Sequence, residues 1–437
     1  MRILFLTTTL IVGMAGQAQT AITLQEAITK GLAARADVGV QHLEQSILAE
    51  RAAQEQGTFL PQLDATFDGR YNFQRQTNVL PGEVFGQPGT QQPVIFGTKW
   101  NATAGLSLTQ KIYDPNASGK LRLARLDAVV QRSTVAVAED EARLAIVEAW
   151  YQVVLAEAGM DLAEAALERA TEAHTEDSAR AAQGALLAID LERSLLDRGS
   201  ATRKLDRARR ELLLDRERLA QAIGWTEAEP PTVNSEMRML LSDSLASPPD
   251  AGAYAERPEL AEAFATLERD SVALSTEKRS WLPTVDLYGS VNRQFFSNDL
   301  NPTDKGVWYP WTYAGLKLNL PLIDGFSRTH RVREQQLLVE QQQLRQQDLD
   351  RSLALEARSN LTEYELRRQE LKDAFAEYDH SERVLVVDRS RAAQGTITRT
   401  SLARTREELQ DSTEKLYRAL YDFLKAGSQV KRSTSSW

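Results

Sequence analysis

The chain has 437 residues, of which 52 are basic and 61 acidic, and its net charge is −9 at pH 7. It contains no cysteine, which excludes a disulfide framework, thiolate chemistry and a lipid-carrying N-terminal cysteine. The four histidines are scattered and the basic residues form no stripe. We therefore expect no catalytic, cofactor-binding or metal site and no nucleic-acid partner.

Residues 1–18 have the pattern of a secretory signal peptide. Met1-Arg2 gives a positive start, residues 3–12 are apolar, and Gly16-Gln17-Ala18 offers a small-x-small cleavage site. A membrane anchor is the alternative, but the apolar run is too short to span a bilayer. We expect cleavage after Ala18 and a mature chain outside the cytoplasm.

The next segment, within a first structural repeat of residues 19–223, combines a helical pattern with two strand patterns. Thr23-Leu24-Gln25-Glu26 has the form of a capping box and predicts a helix that continues to about Gln56. Alternation of apolar and polar residues then predicts two strands, at about 62–74 and 99–110. The connection between them is rich in Gly, Pro, Asn and Gln and is expected to be an outer loop.

Long helices are predicted for the rest of this repeat. Residues 116–183 contain no proline and hardly a glycine, and a continuous helix of this length would extend for roughly 100 Å. Leu205, Leu212 and Leu219 are seven residues apart, which indicates coiled-coil packing of the next helix. Gly184 lies between the two helical patterns and can adopt positive φ without penalty. The sequence therefore predicts a helical hairpin with its tip at Gly184.

The same alternation returns in a second structural repeat, residues 258–427. The pentapeptide RAAQG stands at 180–184 and again at 391–395, an offset of 211, and flanking segments repeat at similar offsets. The second copy predicts strands at about 284–296 and 309–320 and a hairpin tip at Gly395.

Two segments fall outside the repeats. Residues 224–257 contain two Pro-Pro pairs and are expected to form a linker, with a short strand at Thr232–Asn234. Residues 428–437 are expected to form a polar C-terminal tail.

Two interpretations of the four strands remain open. A soluble sheet with one buried face would show this alternation. A transmembrane barrel would show it too, since strands of about 9–11 tilted residues place apolar side chains toward lipid and polar ones toward the lumen. Aromatic residues near the strand ends, such as Trp100 and Trp308, are typical of membrane interfaces. Because four strands cannot close a barrel, the second interpretation requires several copies of the chain.

Several short motifs point to one family. Leu60-Pro61 and Leu282-Pro283 stand at the helix-to-strand crossings, and residues 315–325 form a strand-to-helix crossing. Together with the two Ala-Gln-Gly tips and the closing stretch 416–424, they occur in a specific order. From about Thr23 to Ala426 the chain resembles the TolC-type outer membrane efflux proteins.

The resemblance implies a mixed α+β membrane protein that forms a homotrimer in outer membrane lipid. Each subunit would give four strands to a single 12-stranded barrel, continued by a periplasmic tunnel of coiled-coil hairpins. Members of the family dock on a periplasmic adaptor and an inner-membrane pump or ABC transporter, and they pass drugs, metals or secreted proteins outward. We therefore expect a passive exit duct of a tripartite efflux or type I secretion system, not an enzyme.

The resemblance also assigns roles to individual residues. The adaptor-docking tips comprise Gln183, Gly184, Ala185, Gln394, Gly395 and Thr396. The barrel-to-helix crossings are marked by Pro61, Pro283 and Pro321, of which Pro321 matches a proline that helps to turn strand into helix. The first copy departs from this pattern, with Lys111 at the matching place and Pro115 four residues later. A differently shaped crossing is expected there.

A duct of this kind needs an aperture that is closed at rest and opens when a partner binds. Charged residues just before the tips are the candidates for the closing contacts: Asp177, Arg180, Asp388, Arg389 and Arg391. An ordinary solvated coiled-coil surface is the alternative for each of them.

Two other functions compete with the duct. A periplasmic adaptor also contains a helical hairpin, although usually one hairpin within β-rich domains. A soluble extracytoplasmic coiled-coil scaffold would require the strands to pair in water.

Overall fold

The structure is a computed structural model that describes residues 21–86, 88–234, 237–244, 254–301, 303 and 308–435. The predicted signal peptide lies outside the described residues. The chain divides into two compact units. Unit 1 comprises residues 1–42, 133–261 and 348–437, and unit 2 comprises residues 43–132 and 262–347.

Helices account for most of the described chain. They are α1 (Leu24–Ala34), α2 (Ala36–Gly57), α3 (Pro115–Ala182), α4 (Ala188–Ala222), α5 (Met237–Ser244), α6 (Pro258–Lys278), α7 (Ser327–Ala393) and α8 (Arg399–Ser433). The strands are β1 (Ala21–Ile22), β2 (Gln62–Tyr71), β3 (Thr77–Pro81), β4 (Gln91–Ile95), β5 (Trp100–Tyr113), β6 (Thr232–Val233), β7 (Thr284–Ser297) and β8 (Trp308–Asn319). In the part of the chain that the structure describes, none of the helices has both the length and the apolar character needed to cross a membrane.

Unit 1 is built around an apolar core that joins both repeats. The core combines residues of α3 and α4 with residues of α7 and α8, including Ile146, Trp150, Leu219, Leu371 and Leu420. Leucine spacing of three, four and seven residues places these side chains on one face of each helix, so their burial stabilises the helical packing. Strands β1 and β6 form a short parallel pair in the same unit.

The helix predicted from Thr23 to about Gln56 is two helices, so this part of the prediction was wrong. The capping box at Thr23 is present, with Glu26 accepting the Thr23 backbone N–H at 2.9 Å. At Arg35, however, the backbone becomes extended (ψ 128°), and the Arg35 side chain binds Asp37 in the first turn of α2. This local ion pair stabilises a break that the helical periodicity does not reveal.

The C-terminal segment also differs from its prediction as a polar tail. Helix α8 continues to Ser433, and Val430 is 2 % exposed. The polar residues there are buried because their hydroxyls bond to the helix backbone. Ser428 donates to the Leu424 carbonyl at 3.0 Å, and Ser433 donates to the Val430 carbonyl at 2.9 Å.

Unit 2 contains a four-stranded antiparallel sheet in the order β2-β5-β7-β8. The two strands of each repeat are therefore paired with each other, and β5 joins β7 across the repeats. The connection between β2 and β5, expected to be an outer loop, carries the additional hairpin β3–β4. Its turn contains a short 3-10 helix, Gly82–Phe85, followed by Gly86 at φ 75°.

Candidate functional site: the two-faced sheet and the hairpin tips

The sheet of unit 2 has one apolar and one polar face, which follow from its register. The apolar face carries Leu63, Ala65, Phe67, Ala104, Leu106 and Leu108 on the first strand pair and Val285, Leu287, Val291, Ala314, Leu316 and Leu318 on the second. The polar face carries Asp64, Thr66, Asp68, Thr103, Ser107 and Thr109, then Asp286, Ser290, Asn292, Gln294, Lys317 and Asn319.

Much of the apolar face is not covered within the chain, although Phe295 at one end of it is 2 % exposed. Leu63, Phe67, Leu316 and Leu318 are 65, 74, 70 and 68 % exposed, although all four are large apolar side chains. A contiguous exposed surface of this kind is typical of contact with lipid or with another protein. At 10 to 14 residues, the strands also have the length that a tilted transmembrane strand requires.

The polar face is closely packed at its centre. Asn292 is 7 % exposed and donates to the Ser290 hydroxyl at 2.6 Å. Its side chain lies over Gly105, where an added Cβ would come within 1.8 Å of Asn292 Oδ1. Only glycine fits at position 105 without displacing Asn292, since a real Cβ does not tolerate this distance.

The predicted crossings lie where strands and helices meet. Pro61 directly precedes β2, and Pro283 directly precedes β7. Both positions suit proline, because its missing N–H removes no ladder hydrogen bond at the start of a strand.

The two strand-to-helix crossings have different lengths. In the first copy only Asp114 separates β5 from α3, and its carboxylate accepts the backbone N–H of Asn116 and of Ala117. In the second copy residues 320–326, which include Pro321, separate β8 from α7. There Asp324 accepts the Arg328 N–H at 3.0 Å. Both crossings thus use an aspartate to satisfy the free N–H groups of a long helix.

The pentapeptide RAAQG forms the same C-terminal helix cap in both repeats, and both caps lie in unit 1. Gly184 and Gly395 have φ of 71° and 70°. In the first copy the Ala185 N–H bonds to the Arg180 carbonyl and the Gly184 N–H to the Ala181 carbonyl, each at 2.9 Å. The second copy repeats both bonds from Thr396 and Gly395. This hydrogen-bond pair defines a Schellman motif, so RAAQG is the sequence that ends the helix and reverses the chain.

The tips are accessible to a partner. The residues assigned to adaptor docking, Gln183, Gly184, Ala185, Gln394, Gly395 and Thr396, are all exposed. The two tips differ at the start of the helix after the turn. Thr398 caps α8 by accepting the Ser401 N–H, whereas Leu187 precedes α4 without a side-chain cap and is 69 % exposed.

The second half of the chain is similar to a known family. Residues 252–435 match the family model described as outer membrane efflux protein. This match covers 184 of the 437 residues, less than half of the chain. No curated protein matches the sequence significantly.

Solved structures extend the likeness to nearly the whole chain. The Campylobacter jejuni CmeC outer membrane channel shares 14 % identity at a TM-score of 0.71, covering 94 % of this chain and 85 % of that one. The CusC structure, described for its folding and transmembrane channel formation, shares 13 % identity at a TM-score of 0.73, covering 94 % and 91 %. The Vibrio cholerae outer membrane protein VceC shares 14 % identity at a TM-score of 0.70, covering 94 % and 95 %. The first repeat therefore has the fold of these channels as well. This confirms the predicted mixed α+β fold with four strands and long helical hairpins, and the trimeric barrel stays a prediction.

Within residues 252–435, one predicted gate residue has specific partners. Asp388 is partly buried and accepts a hydrogen bond of 2.8 Å from the Thr405 hydroxyl of α8. Arg391 lies 3.6 Å from the same carboxylate along α7. The structure thus brings Asp388 and Arg391 together, in a helical i,i+3 pair.

The other predicted gate residues are not brought together. The side chains of Asp177, Arg180 and Arg389 make no hydrogen bond or ion pair with any described residue, and the two arginines are exposed. Within one chain, no described contact joins Asp177 or Arg180 of the first copy to the gate candidates of the second.

A link between the two hairpins was missed by the sequence analysis. Glu176 of α3 forms an ion pair with Arg399 at the start of α8, and Arg169 of α3 hydrogen-bonds Gln410 of α8. The duplication could not reveal these contacts, because Val387 and Ala188 occupy the equivalent positions of Glu176 and Arg399. The hairpins are therefore joined by an asymmetric pair close to the tips.

Proposed function

We propose that the protein is the outer membrane exit duct of a tripartite efflux or type I secretion system. The observation that supports this proposal most directly is the two-faced sheet. It occurs in a chain whose residues 252–435 match the outer membrane efflux protein model and whose fold is that of outer membrane channels. The duct conducts its substrates passively, and the inner-membrane pump or ABC transporter supplies the free energy.

The open edges of the sheet support assembly from several copies. Strands β2 and β8 are the two edges, and in lipid their unpaired N–H and C=O groups would each cost several kcal/mol. Pairing β8 of one copy with β2 of the next satisfies these groups. Three copies of four strands give a 12-stranded barrel, with the apolar face toward lipid and the polar face toward the lumen.

The exposed tips support docking of a periplasmic adaptor. Gly184 and Gly395 end their helices at rigid, hydrogen-bonded turns that leave the surrounding side chains accessible. Opening then requires a closed arrangement that adaptor binding destabilises. Asp177, Arg180, Asp388, Arg389 and Arg391 are the candidate contacts of the closed state, and the buried partner of Asp388 makes it the first to test.

Detergent extraction of outer membranes, followed by mass determination and planar-bilayer recording, tests the proposal. We expect a trimer with a small resting conductance. Asp388→Lys and Arg391→Glu should raise the resting conductance several-fold, whereas Glu382→Lys, an exposed charge reversal on the same helix, should leave it unchanged.

Each alternative predicts a different outcome. A water-soluble monomer without channel activity would contradict the duct and favour a coiled-coil scaffold or an adaptor. A conducting trimer in which neither reversal changes the resting conductance would retain the duct but remove Asp388 and Arg391 from its gate.

A further inference from the structure

A single cation interrupts the apolar face of the sheet. Every residue of β2, β5, β7 and β8 is described, and Arg293 on β7 is the only charged residue on the apolar face. It is paired with Ala104 on β5 and with Pro310 on β8. Neither neighbour in the register offers a side-chain acceptor.

Arg293 lies near the end of the sheet at which aromatic residues collect. Phe295 and Trp308, the next pair along the register, have ring centroids 5.3 Å apart, and Tyr71 and Trp100 have centroids 4.6 Å apart. Two residues along a strand are about 7 Å, so Arg293 is just inside this aromatic group. In a membrane-spanning sheet such a group marks the interface between hydrocarbon and headgroups.

The guanidinium has no partner in the part of the chain that the structure describes. Arg293 is exposed, and its side chain makes no hydrogen bond or ion pair with any described residue. A neighbouring copy would not readily supply one, because β7 lies between β5 and β8, and a strand added at β8 would be two strand spacings away, about 10 Å. A charge on the lipid side of a barrel is unfavourable unless it reaches polar groups at the interface.

A shallow hollow adjoins the arginine. It measures about 560 Å³, and its lining includes Ala65, Ala104, Leu106, Val291, Arg293 and Trp308. The lining also includes Thr66, Gly105 and Asn292, so the hollow is mainly apolar and contains a single cation, Arg293. This volume is within the range of pockets that hold small organic ligands, about 300–1,000 Å³.

We propose that Arg293 and this hollow bind an anionic lipid of the outer leaflet. The guanidinium pairs with the phosphate of the headgroup, for which its planar fork of donors is suited, and an acyl chain lies along the apolar hollow. Trp308 flanks the phosphate at the interface. This inference rests on the proposed function, since it requires the apolar face to be in contact with lipid.

Lipid binding by the purified protein in detergent tests the inference. Native mass spectrometry would measure the affinity for dioleoyl phosphatidic acid and for dioleoylglycerol, which has the same acyl chains but no phosphate. We expect the protein to prefer phosphatidic acid and Arg293→Gln to lower that affinity about tenfold, as for the loss of a charge-assisted hydrogen bond. The matched control is Arg70→Gln, since Arg70 is an arginine at the same end of the sheet on the polar face.

Three outcomes would overturn the inference. They are equal affinity for the two lipids, an equal loss in Arg70→Gln, and full displacement of phosphatidic acid by millimolar inorganic phosphate, which would indicate a free-anion site. The same preparations are recorded in planar bilayers. If the protein conducts but its lipid binding does not depend on Arg293, this inference alone is contradicted. If the preparation does not conduct, the proposed duct is contradicted.

Discussion

The Thr405 hydroxyl lies 2.8 Å from Asp388 Oδ2, whereas the equivalent hydroxyl of the first repeat, Ser194, lies 3.0 Å from His174 Nδ1. The two hydroxyls are related by the offset of 211 that relates the RAAQG tips, and both are buried. The duplicated hairpins therefore share a buried hydroxyl but give it different partners. Only the second hairpin uses it to hold a carboxylate beside its tip.

Thr405→Val should loosen the second tip. The substitution keeps the shape of the side chain but removes the donor, and a partly buried acceptor left without its partner costs about 1–3 kcal/mol. Asp388 would retain only Arg391, at 3.6 Å. We expect a higher resting conductance in planar bilayers and faster amide exchange around Gly395.

Thr400→Val is the matched control, because Thr400 is exposed on the same helix. An equal change in both variants would show that the effect comes from the substitution type and not from the Asp388 contact.

Replacing the tip glycines should destabilise each hairpin for a conformational reason alone. Gly184 and Gly395 have φ near 70°, and an added Cβ would meet no atom within 4 Å at either position. Alanine in this left-handed conformation costs about 1–2 kcal/mol. Gly184→Ala and Gly395→Ala should therefore lower the thermal unfolding midpoint followed by circular dichroism.

Gly159→Ala should instead raise the thermal unfolding midpoint. Gly159 is within α3, does not have positive φ, and also has no atom within 4 Å of an added Cβ. Alanine in the middle of a helix is favoured over glycine by about 0.5–1 kcal/mol. A lowered midpoint in all three variants would contradict the conformational explanation.

Arg35 and Arg257 are 222 residues apart, and each pairs with an acidic residue two positions later, but they should differ strongly in their contribution to stability. Arg257 is 2 % exposed and pairs with both Glu259 and Glu356, the latter at 2.9 Å. Arg35 is 23 % exposed and pairs with Asp37 alone, which is 58 % exposed. Arg257→Met would leave two carboxylates without this partner and should cost about 3 kcal/mol. Arg35→Met should cost less than about 1 kcal/mol, because an exposed pair contributes little.

Denaturant unfolding in detergent measures the change in the free energy of unfolding for both variants. Similar losses for the two variants would mean that the burial of Arg257 does not increase its contribution to stability.

Local signals in the sequence predict much of this fold. The alternation around Phe67 and Ala104 indicates strands with two unlike faces, and β2 and β5 have these faces. The glycine in RAAQG indicates a reversal, because positive φ is a property of one residue and requires no knowledge of distant contacts. Such features are determined within a few residues of the chain.

Contacts between helices could not be predicted in the same way. The Thr405–Asp388 bond and the Glu176–Arg399 pair depend on the axial register of α8 against α7 and α3, which the heptad spacing of leucines does not determine. The helical C-terminal segment was missed for a related reason. Residues such as Ser433 look polar in sequence, yet they are buried once their hydroxyls bond to the helix backbone.

Glu157 should make the first hairpin less stable as pH rises. Burial raises the pKa of Glu157 above its usual value, and this effect outweighs the ion pair with Arg216 at 2.7 Å. A carboxyl group whose pKa is higher in the folded state opposes folding when it is ionised. This cost is absent below the pKa of the unfolded chain and grows as pH rises through the pKa of the folded one.

Glu157→Gln should therefore stabilise the protein at pH 7 relative to the parent and have no such advantage at pH 4. Glutamine keeps a polar contact with Arg216 but cannot ionise. Circular dichroism melts of both proteins at the two pH values measure the difference. Glu164→Gln serves as the control, because Glu164 is 60 % exposed and lies 3.6 Å from Arg209 between the same two helices, so its pair should contribute little at either pH. A stabilisation by Glu157→Gln that is equally large at pH 4 would show that the ionised carboxyl is not its cause.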